Sequence, residues 1–523
     1  MQLRSDPSTA TKIRRMKQRV RWQEPAVVRH NIDQTRLVFQ ETGRDESEFS
    51  FLVIGDSGTG YHRGHRPQRQ ITELLLKHRP DCQFLLHTGD VVYQVGSSEY
   101  YYSNFIKPYR EFLVGGEHPK AIAYDRMTFN FPILPVPGNH DYYDVPLLYQ
   151  LIAPFVSPIR YLLRSQVDFD IGRHGSFQGQ AYARAFLDCL ELYRGSELTD
   201  HLDRHYRGKI GNSRCLHYDI GQFTRLPNRY YQFRRGDIDF FALDSNTFND
   251  PVPLPNTPEG RARRRELIDR LNRVEREKQQ FTEAIARLNP DSPEDRDHLD
   301  DLNAKLEQLD EIKLDIEKNL HVNSKSVIDF EQLGWLERGL IESWNTSQVR
   351  GRVLYFHHPP YVTEATKWNQ AQTLAVRHRL RAVLNAVAEA IGDRNGGRPV
   401  VDLVLNGHAH CLEHLYTRDT GSADSHIHWI VCGGSGYSLR RQRPEGPELE
   451  EAIAGNERRV VAESRRFVGR SGHGKHKRRP YSGLRIDVQS GYPPKFRISP
   501  LLAERIRGEW HFPESEAFVV GGE

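Results

Sequence analysis

The sequence has few cysteines, no long apolar run and almost no net charge. The cysteines number five among 523 residues and lack the paired spacing of a zinc site or a disulfide framework. We therefore expect them to be core thiols. The formal net charge of +4 gives no argument for binding to nucleic acids or membranes. The cysteines are Cys82, Cys189, Cys215, Cys411 and Cys432.

No segment has the composition of a membrane span or of a secretory signal. The most apolar later stretch, residues 145–163, is interrupted by Pro154, Pro158 and Arg160. The N-terminal segment is rich in lysine and arginine and has no apolar stretch, which predicts a disordered basic tail in preference to a transit peptide. We therefore expect a soluble, cytoplasmic protein with no membrane partner.

The order of the predicted elements favours a layered α/β fold. Hydrophobic residues make up 37% of the chain, which is enough for a sizeable core. Short apolar strands alternate with amphipathic helices. Strands are predicted at 35–40, 51–54, 82–87, 133–136, 230–233, 237–243, 352–356, 400–405, 428–431, 483–488 and 495–498. Helices are predicted near 68–78, 100–112, 147–163, 177–193 and 330–343.

Two insertions interrupt this alternation. Residues 143–228 are rich in loops and helices. Residues 259–322 carry apolar side chains at heptad spacing with a break at 289–293, which predicts an antiparallel, coiled-coil-like helical hairpin that projects from the core. The other predicted parts are a polar basic leader at 1–48, a catalytic core at 49–142, 229–258 and 323–440, and a basic loop with C-terminal strands at 441–523.

The charged segments leave two interpretations open. The charged faces of the hairpin are most simply solvated, and a protein partner or self-association through the hairpin is the alternative. Residues 465–479 are basic and most simply form a solvated, mobile loop. Aromatic residues are sparse there, which argues against stacking on nucleic acid.

Successive core strands end in turns that carry metal-binding residue types. Carboxylate, amide, phenol and imidazole groups together suit iron, manganese or zinc, and they do not form a thiolate site. Because strand ends meet at a sheet edge, we expect these groups to converge around two ions, which in hydrolytic sites lie about 3.5–4 Å apart. The candidates are Asp56, Asp90, Tyr93, Asn139, His140, Asp141, His357, His358, His408 and His410.

Each candidate also has a simpler explanation. Asp56 and Asp90 follow glycines and could be ordinary turn residues, as could Asn139 beside Gly138. Two histidines two positions apart are common in surface sequence. The joint occurrence of five such turns, in this order, is what favours a metal centre.

Five blocks of the sequence resemble the motifs of the calcineurin-like metallophosphoesterases, and most closely the purple acid phosphatase branch. Gly58 stands where most of that superfamily has histidine, and Tyr93 adds a phenol. The resemblance implies an α-β-β-α sandwich. The blocks are Gly-Asp-Ser-Gly at 55–58, Gly-Asp-Val-Val-Tyr at 89–93, Gly-Asn-His-Asp at 138–141, Val-Leu-Tyr-Phe-His at 353–357 and Gly-His-Ala-His at 407–410.

The resemblance also implies a role for each candidate. The first metal would be bound by Asp56, Asp90, Tyr93 and His410, and the second by Asp90 as a bridge, Asn139, His357 and His408. His140 would assist the leaving group, Asp141 would orient His140, and His358 would lie behind the ligands or face the substrate. A tyrosinate suits Fe(III) at the first position, with Fe(II), Zn(II) or Mn(II) at the second.

The implied activity is hydrolysis of phosphate monoesters by a metal-bound hydroxide, with a phosphorylated substrate as the partner. A phosphodiesterase or nuclease using the same site is the enzymatic alternative, because the sequence does not size the pocket. A non-catalytic scaffold whose hairpin binds a partner is the alternative from another class.

Overall fold

The computed structural model describes residues 4–39, 47–61, 64–145, 175–289, 292–322, 326–452, 457–472, 476–506 and 508–522. The predicted helix at 147–163 lies outside these residues. The helices of the described residues are α1 (Thr9–Arg19), α2 (Pro25–Arg29), α3 (Pro67–His78), α4 (Gln180–Phe186), α5 (Ser196–His205), α6 (Pro258–Ile285), α7 (Pro293–His321), α8 (Phe330–Asn345) and α9 (Ala371–Ile391).

The strands begin and end close to most of the predicted positions. They are β1 (Ile32–Phe39), β2 (Phe49–Ile54), β3 (Leu85–His87), β4 (Ile133–Pro135), β5 (Gly208–Ile210), β6 (Ser213–Tyr218), β7 (Tyr231–Arg235), β8 (Ile238–Ala242), β9 (Gly351–Phe356), β10 (Leu403–Asn406), β11 (Leu412–Thr417), β12 (His428–Cys432), β13 (Glu448–Ala452), β14 (Arg458–Val468), β15 (Pro480–Gln489), β16 (Lys495–Ile506), β17 (Glu509–His511) and β18 (Phe518–Val520).

The described strands form two sheets. The larger sheet has the order β13-β14-β11-β12-β10-β9-β8-β7-β1-β6-β5, and its central strands β8, β9, β10 and β12 are parallel. The smaller sheet has the order β17-β16-β15-β2-β3-β4, with β18 beside β16, and β2, β3 and β4 are parallel. Both sheets therefore present the carboxyl ends of several parallel strands.

A cluster of phenylalanines joins the two sheets. The ring of Phe84 lies 5.1 Å from Phe51 in the smaller sheet, and 5.6 Å and 5.4 Å from Phe233 and Phe240 in the larger one. Edge-to-face contacts at such distances add to the stabilisation from burial. This apolar layer is the centre of the fold.

Helices cover the outer faces. Leu336 and Leu340 of α8 and Val376 and Leu384 of α9 belong to a second buried cluster with β9, β10 and β12. Helix α3 lies on the smaller sheet, where Ile71 approaches the position of Gly483 in β15. The predicted α-β-β-α order is confirmed.

Helices α6 and α7 pair in opposite directions. Lys278 binds Asp310 at 2.5 Å, and Glu275, earlier in α6, binds Lys313, later in α7. The N-cap of α7 is Ser292, whose side chain accepts a hydrogen bond from the backbone N–H of Asp295. Helix α7 does not project into solvent as predicted, because its polar side chains are bound to the core.

The basic N-terminal segment is folded. Helix α1 buries the side chains of Met16 and Arg19, and the Arg19 guanidinium donates to the carbonyls of Phe177 and Gln178 at 3.0 and 2.9 Å. Lys12 is buried in an ion pair with Asp6 at 2.6 Å. The expectation of a disordered tail is wrong for this segment, because its cations have partners elsewhere in the fold.

Two other segments differ from the prediction. Residues 100–112 form short 3₁₀ and π turns instead of one regular helix. The basic stretch at 465–479 contributes residues to β14, and its Arg470, Lys477 and Arg479 bind Asp301 of α7 at 2.5, 2.7 and 3.0 Å. No helix in the described part of the chain is both long and apolar enough to span a bilayer.

Candidate metal centre

The candidate ligands lie at the carboxyl ends of strands from both sheets. Sequence reasoning placed them at one sheet edge, whereas the smaller sheet supplies the first half of the set and the larger sheet the second. Each ligand follows its strand by one to a few residues, where the chain turns. Asp56 follows β2, Asp90 and Tyr93 follow β3, Asn139 follows β4, His357 follows β9, and His408 and His410 follow β10.

The Tyr93 hydroxyl lies at the centre of the first group of ligands. It donates to Asp90 Oδ2 at 2.8 Å, and its oxygen lies 3.1 Å from Asp56 Oδ1 and 3.4 Å from His410 Nε2. His410 donates from Nδ1 to the carbonyl of Ser438 at 3.0 Å, which aims Nε2 at the other groups. These are the four residues predicted for the first metal.

Nε2 of His357 lies at the centre of the second group. It is 2.8 Å from Asn139 Oδ1, 3.2 Å from His408 Nδ1 and 3.4 Å from Asp90 Oδ2. His357 Nδ1 donates to the carbonyl of Thr88 at 2.9 Å. Asp90 contacts both groups, as predicted for a bridging carboxylate.

These distances provide a test of whether the site suits metal ions. With Nδ1 of His357 donating to a carbonyl, Nε2 faces the oxygens of Asn139 and Asp90, which are acceptors. A cation in their midst would satisfy all three atoms. Nε2 of His408 is also buried with no hydrogen-bond partner among the described residues. The donor set therefore fits metal binding, and two triads could each hold an ion: Asp56, Asp90 and His357, and His357, His358 and His408.

The turns that carry the ligands are strained and tightly packed. Asp56, Asp90 and His408 have positive φ values of 53°, 54° and 64°, where L-residues are rare. A Cβ on Gly138 would lie 2.1 Å from Asp90 Oδ1, and one on Gly407 would lie 2.6 Å from Asp56 Oδ2. Glycine is required at both positions because the carboxylates occupy the space.

Burial and the neighbouring charges raise the pKa of Asp56 and His357 and lower the pKa of Asp90. Burial raises the pKa of Asp56, and the neighbouring Asp90 charge adds to this effect. Burial also opposes the charge on Asp90, but His357 and His140 outweigh it and lower its pKa. Burial would lower the pKa of His357, yet Asp90 raises it to about 9. Without a metal, a proton on His357 takes the place of the cation that this carboxylate needs.

The ring of His140 lies beside the ligands. Its Nδ1 donates to the carbonyl of Gln94 at 2.5 Å, and its Nε2 is 4.0 Å from Asp90 Oδ2. Its ring centroid is 4.3 Å from that of Tyr93. Burial lowers the pKa of His140 to about 4. The ring is thus held from behind by a backbone carbonyl, with Nε2 towards the site.

Asp141 does not have the role predicted for it, which is to orient His140. Its carboxylate accepts hydrogen bonds from the backbone N–H groups of Gly138, Val91 and Val92 at 2.9–3.2 Å. It therefore holds the turns after β3 and β4 together, while Gln94 orients His140. Burial and Asp90 raise the pKa of Asp141 to about 7.

Both ring nitrogens of His358 are engaged behind the ligands. Nδ1 lies 2.8 Å from Ser245 Oγ, and Nε2 accepts from the amide of Asn249 at 3.0 Å. The ring packs 4.5 Å from that of His408. This placement favours support of His408 over contact with a substrate. Sequence reasoning missed Ser245 and Asn249. For Ser245, the Asp-Ser-Asn turn at 244–246, shortly after β8, was an available signal.

Two further aromatic rings were missed. Tyr437 stacks on Tyr93 with centroids 4.3 Å apart and planes 7° apart, and it lies 5.0 Å from His410. The ring of Tyr143 lies 5.0 Å from His140. Isolated tyrosines in loops have no periodicity, so no pattern in the sequence indicates this aromatic rim.

The fold and site together define a class: a two-sheet α/β protein whose strand ends bring together clusters of Asp and His that could hold metal ions. Residues 49–202 match the family model described as calcineurin-like phosphoesterase. The resemblance predicted from the motifs is confirmed by this match. The histidines of the larger sheet lie beyond the matched span and complete the same cluster.

Comparison with solved structures gives distant likenesses. GAP50, the anchor in the inner membrane complex of Plasmodium, is 10% identical with a TM-score of 0.35, covering 90% of this chain and 89% of its own. Purple acid phosphatase PPD1 from yellow lupin (Lupinus luteus) seeds is 10% identical with a TM-score of 0.39, covering 90% and 53%. PhoD is 13% identical with a TM-score of 0.39, covering 92% and 70%.

These TM-scores are too low to carry an argument about function. The chain spans about half the length of the lupin phosphatase. Comparison with curated proteins found no significant match.

Proposed function

We propose that this protein hydrolyses phosphate monoesters at a centre of two metal ions. The observation that carries the proposal is the convergence of Asn139 Oδ1, Asp90 Oδ2 and His408 Nδ1 on Nε2 of His357, all within 3.4 Å of that atom. Asp90 joins this cluster to the group around Tyr93, so the residues suit two adjacent ions. Two ions held there would supply a nucleophile and neutralise charge on the phosphoryl group.

The chain's own residues position the reacting groups. Asp56, Asp90, Tyr93 and His410 would hold the first ion, and Asp90, Asn139, His357 and His408 the second. His140 would assist the leaving oxygen from Nε2, because the carbonyl of Gln94 fixes its other nitrogen. The buried rim of Tyr437 and Tyr143 limits water around the ester.

We further propose Fe(III) at the Tyr93 position. The phenol is buried beside two carboxylates, and burial together with Asp56 and Asp90 raises its pKa. A trivalent ion would be the strongest available stabiliser of the phenolate. Fe(II), Zn(II) or Mn(II) would occupy the second position. We also propose that the protein acts in the cytoplasm.

Two variants test the proposal by separating metal binding from proton transfer. Asn139→Ala is expected to lower metal content towards one ion per chain and to abolish hydrolysis of an aryl phosphate. His140→Ala is expected to keep both ions and to lower kcat by about 10²–10⁴-fold. Elemental analysis beside a panel of mono- and diesters gives both readouts. A wild-type protein that holds two metal ions and hydrolyses only diesters would overturn the monoester assignment. A wild-type protein that holds no metal and has no activity would overturn the proposal that it is an enzyme.

A further inference from the structure

Helix α7 has two faces of different character. The face towards α6 is apolar, with Leu309 and Ile316 in a buried cluster with Leu267 and Val274. The opposite face is polar and lies on the catalytic core. We call its residues, spaced three to six positions apart, the docking face: Asp301, Glu307, Glu311, Asp315 and Lys318.

The docking face binds the core by ion pairs and hydrogen bonds along its length. Asp315 accepts from the N–H groups of Ala371 and Gln372 at 3.0 and 3.2 Å. Lys318 binds Asp250 at 3.0 Å. Interfaces of this polar kind resemble transient ones and permit relative motion more readily than apolar contacts do.

Glu311 binds two core cations beside the candidate metal centre. Its carboxylate lies 2.8 Å from Lys367 and 3.1 Å from Arg440. The side chains of Lys367 and Arg440 are only 4% and 0% exposed. Burying two cations is costly unless an anion accompanies them. Within the described residues, the carboxylates in ion pairs with these two cations, Glu311 and Glu307, belong to the insertion. The buried core carboxylate Glu364 interacts with both cations from a greater distance.

The two cations lie next to metal-binding histidines. The backbone N–H of Arg440 donates to the carbonyl of His410 at 3.0 Å. Burial lowers the pKa of His408, and the charge of Lys367 lowers it further. Burial also lowers the pKa of His410, and the charges of Arg440 and Lys367 add to this effect. A phosphate ester bound at the metals would therefore have two cations within reach, if Glu311 were displaced.

We propose that Lys367 and Arg440 form a binding site for the anionic oxygens of the substrate, and that Glu311 occupies this site as an internal competitor. The proposal rests on the proposed function for its substrate class. A phosphate dianion matches the pair because it offers several acceptor oxygens and the charge of two carboxylates. Substrate entry then requires α7 to move from the core, and the hairpin acts as a charged lid.

The test compares Glu311→Gln with wild type in the metal-loaded, full-length protein, using inorganic phosphate as the probe. Glu311→Gln keeps the shape and removes the competing charge, so phosphate is expected to bind at least about tenfold more tightly by calorimetry. The KM for an aryl phosphate is expected to fall with it. Adding Lys367→Met to Glu311→Gln is expected to abolish the gain. Glu283→Gln, an exposed change on α6, is the matched control.

Amide hydrogen exchange supplies a readout that does not need turnover. Exchange in α7 is expected to rise in Glu311→Gln, and in wild type when phosphate is added. The lid proposal would be overturned by an unchanged phosphate affinity in Glu311→Gln. It would also be overturned if the amide hydrogens of α7 still exchanged slowly at saturating phosphate. If the wild type proves to have no hydrolytic activity, the calorimetry still decides whether the cations bind phosphate. Should Glu311→Gln fold poorly, Glu307→Gln is the second variant. It is expected to give a smaller gain in phosphate affinity, because Glu307 contacts Arg440 but not Lys367.

Discussion

Asp56, Asp90 and His408 combine a rare backbone conformation with the functional side chains of the site. Each left-handed residue costs on the order of 1–3 kcal/mol, so the surrounding packing must hold it in place. Carboxylates and glycines do so here: Asp141 binds the turns after β3 and β4, and Gly138 and Gly407 make room for Asp90 and Asp56. The sequence predicted the ligands from these turns, but not the strain, because it depends on groups distant in the chain.

Gly138→Ala tests this packing. The new methyl would lie 2.1 Å from Asp90 Oδ1 and 2.2 Å from the Asp90 backbone nitrogen, so Asp90 must move. We expect loss of at least one metal ion by elemental analysis and loss of activity. Gly334→Ala is the control: its methyl would meet only the flexible end of Arg338, and a helix gains about 0.5–1 kcal/mol from this change. Equal metal content in the two variants would contradict the prediction.

At the scale of elements, periodicity predicted the helices of the hairpin but not their position. The apolar positions of α6 and α7 repeat along the sequence, and in the structure they pack against each other. The docking face instead pairs Asp301 and Glu311 with cations on other elements, distant in the chain, and such pairs leave no periodic signal. Arg19 likewise donates to carbonyls distant in the chain, those of Phe177 and Gln178, and this contact has no sign in the composition that predicts a disordered basic tail.

Asp315→Ala tests whether the insertion stabilises a core helix. The residue before α9, Gln370, makes no side-chain cap, and Asp315 supplies the acceptor from α7. Removing a cap costs about 0.5–2 kcal/mol, so we expect the free energy of unfolding in urea to fall by that amount. Asp315→Asn keeps one acceptor oxygen and should lose less. Similar losses for both would show that the contact has no capping role.

Acid is expected to weaken docking of α7. Burial raises the pKa of Asp301, but Lys477, Arg470 and Arg479 outweigh it, so the pKa lies below its ordinary value of 3.8. A carboxyl whose pKa is lower in the folded state stabilises it above the unfolded pKa and loses this effect as pH falls below that value. Stability against urea should therefore drop below about pH 4.

Asp301→Asn is expected to flatten that pH dependence relative to wild type. Asp269→Asn, an exposed change on α6, serves as the control and should leave the curve unchanged. Identical curves for Asp301→Asn and wild type would remove the electrostatic explanation.

At the scale of the molecule, the candidate metal centre depends on the alignment of two sheets. The ligands after β2, β3 and β4 must face those after β9 and β10, and the phenylalanine layer fixes that alignment. The alternation of strands and helices predicted the sheets, and the five motifs predicted which residues meet. Neither could show that the two sheets contribute separate halves of the site, because strand pairing between distant segments is not encoded locally.

Phe84→Ala tests the link between the sheets. Phe84 is fully buried among Phe51, Phe233 and Phe240, so truncation should cost about 3–5 kcal/mol of unfolding free energy. Phe84→Leu should cost less. We also expect weaker metal retention under a chelator in Phe84→Ala, although the residue contacts no ligand. Phe330→Ala, at a position 70% exposed, should be close to neutral in both measurements.

The pairing of β2 with β15 bears on how the protein is made. Val53 lies in register with Leu86 of β3 and with Leu484 of β15, so the strand that precedes Asp56 gains its second neighbour only after β15 has been synthesised. The carboxylates leave the ribosome long before the imidazoles of His357, His408 and His410. A nascent chain therefore carries the aspartates of the candidate site before the histidines that would complete it, so metal binding that needs both halves would follow synthesis of the turn after β10.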